Sequence, residues 1–359
     1  MRERIREILA GSAAVALLTG CGPLTSIGTA TPPPPATSPA PSPTGSAAAV
    51  QPLEAAYQQV ITNVLPSIVQ INTEAGLGSG VVFDSAGHIV TNAHVVGGAT
   101  SMNVTLATGG APRPARLVRS FSAGDLAVIK VQDPDGLRPA RFGDSSKLRV
   151  GQIVLAMGNP LGLSGSVTNG IVSALGRTVS EPQNPGSPGA TIAGAIQTSA
   201  AINPGNSGGA LVDLSGQVIG IPTLAARDPD LGGGAAPGIG FAIPSNTATD
   251  IATQIVKDGR VTNTHRAALG IRGGTVVGAD GQPNGVGVAG VEPGGGAQKA
   301  GIRAGDVIVS INGEETPTMA LLAETLTTLK PGDQARVGVI RADGTRETVT
   351  VTLGELPGE

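Results

Sequence analysis

A mainly β chain, with a barrel or sandwich first and a small α+β unit behind it, is what this sequence predicts. Three observations carry that reading. Short runs rich in Val and Ile recur from Val60 to Leu353, bounded by turn residues. The 55 glycines and 28 prolines supply those turns, and the apolar runs between them argue against disorder. After about residue 263 the pattern changes, and strands begin to alternate with short helical stretches. At 359 residues the chain is comfortable for two domains. Trp is absent, Tyr occurs once and Phe four times, so the cores must be filled by Val, Ile, Leu and Ala. A net charge of −3 with no basic block, and so few stacking aromatics, excludes a nucleic-acid partner.

The elements follow in order. Arg2, Arg4 and Arg6 precede an apolar stretch, Ile8 to Leu18, and the small residues Thr19-Gly20-Cys21. That is the layout of a secretory signal over residues 1–20, and the apolar stretch is too short to span a bilayer well. Ending on Leu-x-Gly-Cys, it resembles the bacterial lipobox, which implies lipidation of Cys21 and a lipid-anchored protein. Cys21 is the one cysteine, so no intrachain disulfide can form. Residues 21–51 are rich in Pro, Ala, Ser and Thr and read as an extended tether. At ~3.1 Å per residue such a tether reaches at most roughly 90 Å.

Residues 52–260 form the first domain. A short helix, Tyr57 to Leu65, is closed by Pro66. Strands follow at Ser67–Ile71, Gly80–Phe83, His88–Thr91, Asn103–Leu106, Ala115–Val118 and Leu126–Val131. The series continues at Ile153–Met157, Gly165–Leu175, Ala210–Val212, Val218–Ile221 and Gly238–Ile243, and Arg177 to Ala195 reads as a long Gly/Pro-rich loop. No run of a dozen helical residues interrupts the strands, which argues against a βαβ architecture. Residues 261–355 form the second domain. Its strands are Gly285–Val291, Asp306–Ile311, Val337–Arg341 and Thr348–Leu353, with turns at Asn312-Gly313 and Asp343-Gly344. Met319, Leu322, Leu326 and Leu329 fall on one helical face.

Three segments carry chemistry: Thr91-Asn92-Ala93-His94, Asp125-Leu126-Ala127 and Gly205-Asn206-Ser207-Gly208-Gly209. The order His, Asp, Ser is that of chymotrypsin-type hydrolases. A serine hydroxyl becomes a nucleophile only when a base takes its proton and an acid orients the base. His94, at a strand-loop edge, is the candidate base, Asp125 its orienter and Ser207 the nucleophile. The glycines of the third segment allow a tight turn, so backbone N–H groups of Gly205, Asn206 and Ser207 can converge as an oxyanion hole. Losing one such donor typically costs ~3–4 kcal/mol of transition-state stabilisation. Of the three histidines, His88 reads as a surface residue after a turn and His265 as a polar residue at the domain junction. The same serine segment fits Gly-x-Ser-x-Gly, the nucleophile elbow of α/β-hydrolases. That reading fails because a strand-turn-strand follows the serine and the only later histidine lies in the other domain. Gly76-x-Gly78-x-Gly80 leads into a strand, which excludes a dinucleotide loop. No spacing of His, Cys and carboxylates suggests a metal, and no cofactor is expected.

These segments, together with Gly78-Ser79-Gly80-Val81-Val82, Gly158-Asn159-Pro160-Leu161-Gly162, Gly170 to Ala174 and Gly238 to Pro244, resemble the HtrA (DegP-like) serine proteases. Ala300 to Ile308 resembles that family's PDZ domain. The match covers roughly residues 55 to 355. It implies a chymotrypsin-like double β-barrel followed by one PDZ domain. It also implies ATP-independent cleavage of unfolded, misfolded or regulatory cell-envelope proteins, and a homotrimer with Tyr57 and the N-terminal segment as contacts. By position, Ile202 and Ile239 would line a small apolar S1 pocket, or else both belong to the core. Leu269-Gly270-Ile271 matches the loop that receives a peptide C-terminus, which would add as a strand beside the helix carrying Leu322. Three departures stand out. Ser199 replaces a usual Asp, Leu161 a usual Phe, and Ala268 an aromatic residue. The short segment from Ile71 to Gly78 omits a long loop used to build cages. Two other functions stay open: a PDZ-bearing chaperone or scaffold with a silent protease module, and a tethered sensor that makes one regulatory cut.

Overall fold

The computed structural model describes residues 47–74, 76–159, 165–181, 189–203, 205–228, 234–278 and 280–358. The signal segment, Cys21, most of the tether and Leu161 lie outside the described residues. The first helix, α1 (Ala47–Val64), begins ten residues earlier than the pattern around Tyr57 suggests and takes in the end of the proline-rich stretch. Val60 and Val64 anchor it by entering the protein core. A 3₁₀ turn over Leu65–Ser67, with Pro66 near its start, ends it.

Six strands close the first barrel: β1 (Ile68–Thr73), β2 (Gly76–Val82), β3 (His88–Thr91), β4 (Ser101–Leu106), β5 (Arg113–Phe121) and β6 (Leu126–Val131), in the order β1-β2-β3-β6-β5-β4. Between β3 and β4 lies a single helical turn, α2 (Ala93–Val96). The second barrel repeats that order with β7 (Ile153–Gly158), β8 (Ser166–Glu181), β9 (Ala190–Thr198), β10 (Ala210–Asp213), β11 (Val218–Asp228) and β12 (Gly234–Pro244), as β10-β11-β12-β9-β8-β7. Each barrel has its own apolar interior, Ile71, Ile89 and Ile129 in the first, Ile196, Leu211 and Ile219 in the second. A third cluster joins them: Val81, Val90 and Leu126 meet Leu155, Met157 and Ile221 across the seam. The seam is therefore filled by buried apolar side chains from both barrels, and close packing suits it to hold catalytic groups.

The two ends of the expected loop from Arg177 to Ala195 are instead strand, and residues 182–188 lie outside the described residues. β8 and β9 extend as a hairpin, with Arg177 opposite Ala195 and Val179 opposite Ile192. Ile192 is buried and Val179 packs on the same core, so apolar alternation outweighs the flanking glycines and prolines. Helix α3 (Ser245–Asp258) follows the second barrel, and sequence reasoning missed it. Ala248, Ile251, Ala252 and Ile255 bury one face against the seam, and Gly259 in the left-handed conformation ends it.

The C-terminal unit has a sheet in the order β14-β15-β16-β18-β19: β14 (Ile271–Val277), β15 (Pro283–Val291), β16 (Val307–Ile311), β18 (Gln334–Ile340) and β19 (Arg346–Thr352). β17 (Glu314–Glu315) pairs with β16, and β13 (Ala267–Ala268) pairs with β20 (Gly354–Glu355). Helices α4 (Gly296–Lys299) and α5 (Met319–Thr327) complete it. Asn312 and Gly313 both have positive φ, 54° and 91°, as the Asn-Gly turn requires. The whole is mostly β, as the sequence predicts. Among the described residues no helix is long and apolar enough to cross a membrane.

Candidate active site

The three marked segments meet at the seam between the barrels. Asp125 sits where a 3₁₀ turn (Ser122–Gly124) hands over to β6, with a left-handed φ of 54°. That conformation, which Asp adopts more readily than most residues, turns its carboxylate inward. The side chain is only 3% exposed, so it needs donors. It has three. The His94 backbone N–H donates to Oδ1 at 3.0 Å. The His94 Nδ1 lies 3.0 Å from Oδ1 and 2.9 Å from Oδ2. The Thr223 hydroxyl donates to Oδ2. A carboxylate facing Nδ1 places the imidazole proton there and leaves Nε2 as the basic nitrogen. Asn92 fixes the other side, its side-chain amide donating to the Asp125 carbonyl at 3.0 Å.

Thr223, on β11, is a residue sequence reasoning missed. Its hydroxyl holds Asp125, while its carbonyl oxygen accepts the Ser207 hydroxyl at 3.2 Å. One residue thus links the acid of the first barrel to the serine of the second. Its only sequence signal is a polar residue within the buried run from Val218 to Thr223.

The Gly205–Gly209 turn leads into β10. The Asn206 N–H donates to the Asn203 carbonyl at 3.1 Å, and its side chain bridges the Asn203 N–H and the Ala201 carbonyl. The expectation that Asn206 adds an oxyanion donor is therefore corrected: its N–H is spent inside the turn. The N–H groups of Gly205 and Ser207 have no hydrogen-bond partner among the described residues. Ser199, which stands where an acid was expected, pairs with β8. Its hydroxyl accepts from the Ile171 N–H at 3.0 Å, and its own N–H donates to the Ile171 carbonyl at 3.1 Å.

Ile202 is buried in the second barrel's core, with Gly240 fitting against it, whereas Ile239 is 38% exposed one residue along. His88 is not the surface residue it reads as. It is 8% exposed, and its Nδ1 lies 2.6 Å from Asp84 Oδ2 across the β2–β3 turn. His265 is exposed at the junction, 3.5 Å from Asp250.

In the C-terminal unit Leu269, Gly270, Ile271 and Leu322 line one groove together with Met319 and Leu326. The N–H groups of Leu269 and Gly270 have no partner among the described residues, which leaves two donors at this end of the groove. Arg266 and Glu292 are the charged residues of that groove. Arg266 also reaches the first barrel, donating from Nη1 to the Ala123 carbonyl at 2.7 Å. Burial pushes its guanidinium below its ordinary pKa.

Comparison with known proteins agrees with this geometry. The family described as a trypsin-like peptidase domain matches residues 78–221, and a PDZ domain family matches residues 254–353. The chain is 39% identical to the periplasmic pH-dependent serine endoprotease DegQ of Escherichia coli over 320 residues, 86% of this chain and 66% of DegQ. It is 42% identical to the E. coli periplasmic serine endoprotease DegP over 285 residues, 77% of this chain and 56% of DegP. It thus spans between 56% and 66% of the length of these curated relatives. The solved HtrA-type protease AlgW with a decapeptide superposes with a TM-score of 0.55 at 31% identity, covering 84% of this chain and 99% of that one.

Proposed function

Because this chain belongs to the HtrA/DegP family of trypsin-like serine proteases, with a PDZ domain after the protease domain, we propose that it is an ATP-independent serine endopeptidase. Its substrates are misfolded or regulatory proteins of the bacterial cell envelope. The observation that carries the reading is the continuous connection from the Asp125 carboxylate to His94 Nδ1 and, through Thr223, to the Ser207 hydroxyl. Beside it lie the N–H groups of Gly205 and Ser207, which have no partner among the described residues.

In this reading the Ser207 oxygen attacks the scissile carbonyl while His94 Nε2 takes its proton. The negative charge that develops on the substrate oxygen is met by the N–H groups of Gly205 and Ser207. His94 then returns the proton to the leaving amine, and water repeats the cycle on the acyl-enzyme. Asp125 holds the imidazole in place throughout. Ile202 and Ile239 flank Gly240 and form an apolar S1 subsite for aliphatic side chains. The groove at Leu269–Ile271 and Leu322 takes peptide C-termini, a role supported by the decapeptide in the AlgW structure.

The periplasmic relatives support an extracytoplasmic location. The lipobox-like end at Cys21 supports a lipid anchor, the Pro-rich stretch a tether, and family membership a homotrimer. Residues 52–260 act as the protease domain and 261–355 as the PDZ domain.

Ser207→Ala is the test. It is expected to abolish casein cleavage and fluorophosphonate labelling while leaving thermal unfolding unchanged. Casein cleavage that persists in this variant would overturn the reading in favour of another nucleophile. A folded wild type that neither cleaves nor labels, with PDZ-binding peptides added, points to the scaffold.

A further inference from the structure

We propose that Ser79 is a positioning residue for the reaction, holding the Gly205–Gly208 turn so that the N–H groups of Gly205 and Ser207 face the substrate. This inference rests on the protease reading above. Ser79 lies on β2 and is completely buried. It stands between two glycines, and successive residues of a strand face opposite sides. A side chain at Gly78 would collide with Val95, and one at Gly80 with Ile89 and Ile71, so that face is pressed into the first barrel. Ser79 points the other way, at the serine turn of the second barrel.

Its polar atoms are all engaged there. The Ser79 N–H donates to the Ser207 carbonyl at 3.0 Å. Its hydroxyl accepts from the Asn159 N–H at 2.8 Å and donates to the Gly205 carbonyl. A carbonyl has no proton to give, so the direction of that last bond is fixed. Its carbonyl accepts the Thr91 hydroxyl at 2.6 Å, three residues before His94.

These bonds control peptide planes. In a trans peptide the C=O and the following N–H point in opposite directions, so holding both ends locks the plane. The Gly205–Asn206 plane is held by Ser79 Oγ at its carbonyl and by the Asn203 carbonyl at its N–H. The Ser207–Gly208 plane is held by the Ser79 N–H at one end and the Pro222 carbonyl, 2.9 Å away, at the other. Between them, the Asn206 carbonyl accepts from the Gly209 N–H at 3.0 Å, which leaves the Ser207 N–H outward. Ser79 thus supplies a donor to two of three consecutive planes. The approach is close enough that Gly208, at a φ of +80°, could carry no side chain without striking the Ser79 carbonyl. Removing the Ser79 hydroxyl leaves the Gly205 carbonyl and the Asn159 N–H buried without a partner, and the turn is free to rotate to satisfy them.

The test uses the full chain with Ser79→Ala, a fluorogenic peptide substrate and a peptide boronic acid that forms a tetrahedral adduct with serine. The expected result is a kcat lower by about 10- to 100-fold, a KM changed little, and boronate affinity reduced in parallel with kcat. A general structural defect would instead lower the melting temperature without that parallel. If Ser79→Ala does not fold, Ser79→Cys, a weaker donor of similar shape, carries the same comparison. Wild-type kcat and boronate affinity in the folded variant, or a kcat loss with boronate affinity intact, overturns the inference. Ser207→Ala runs alongside. If it stays active the protease reading itself fails, and if it is inactive while Ser79→Ala matches wild type only the role of Ser79 fails.

Discussion

At the residue scale the site depends on donors around one buried carboxylate. Asp125 is held by a backbone N–H, an imidazole and a hydroxyl, and only the imidazole is suggested by the order of the marked segments. Hydrogen bonds to charged groups contribute about 1.5–3 kcal/mol each. Thr223→Val keeps the shape and the carbonyl that accepts Ser207, but deletes the donor to Asp125. We expect kcat to fall by about tenfold or more with a small loss of stability, read by steady-state kinetics on a peptide substrate and by thermal unfolding. His88 makes the same point in a different place. Its position after a turn suggests exposure, yet the Asp84 carboxylate folds back on it and both become part of the strand connection.

At the scale of elements, that β2–β3 turn predicts a pH effect. Burial raises the pKa of Asp84, but hydrogen bonds and charge from His88, with the Ala86 N–H, outweigh it and hold the carboxyl below the ordinary value of 3.8. A carboxyl with a depressed pKa in the folded state contributes stability above its unfolded value, and that contribution is lost as pH falls through the folded value. The melting temperature of the wild type should therefore drop below about pH 4. Asp84→Asn should melt lower at neutral pH and fall less steeply in acid, as measured by thermal unfolding across that range. Strand ends show how far pattern reading carries. β6 is found at the predicted residues because Leu126–Val131 is apolar and bounded by Asp125. β8 and β9 run past prediction because their pairing, seen only in three dimensions, tolerates the glycines between apolar residues. Helix α3 was hidden by its three threonines and other polar residues, although its apolar residues already had helical spacing.

At the scale of the whole molecule, the groove lined by Leu269 and Leu322 is hydrogen-bonded to the barrel that carries Asp125. Arg266 lines the groove and also caps the Ala123 carbonyl, two residues before Asp125. Thr178 on β8 and Thr327 at the end of α5 add a hydroxyl contact of 2.9 Å. A ligand carboxylate that draws on Arg266 competes with that residue's bond to the turn that presents Asp125, so groove occupancy is expected to change cleavage. Adding a peptide with a free apolar C-terminus should change the rate of casein cleavage by the wild type. In Arg266→Ala the same peptide should still bind, by fluorescence anisotropy, but leave the rate flat. A variant that keeps the wild-type response removes Arg266 from the coupling.

The sequence by itself determined the class of the protein. The Val/Ile runs with turn residues between them imply barrels, the change after residue 263 implies a second unit, and His94, Asp125 and Ser207 stand in telling local frames. Those features are legible because they are local: periodicity and turn chemistry act over a few neighbouring residues. Only the tertiary structure decided which groups serve those three. Thr223 lies 98 residues from Asp125, and Ser79 lies 126 residues from Gly205. Their hydrogen bonds exist only once two barrels have closed and packed across a common seam. No spacing along the chain encodes that meeting, because a buried donor is matched to its acceptor by the packing of the fold.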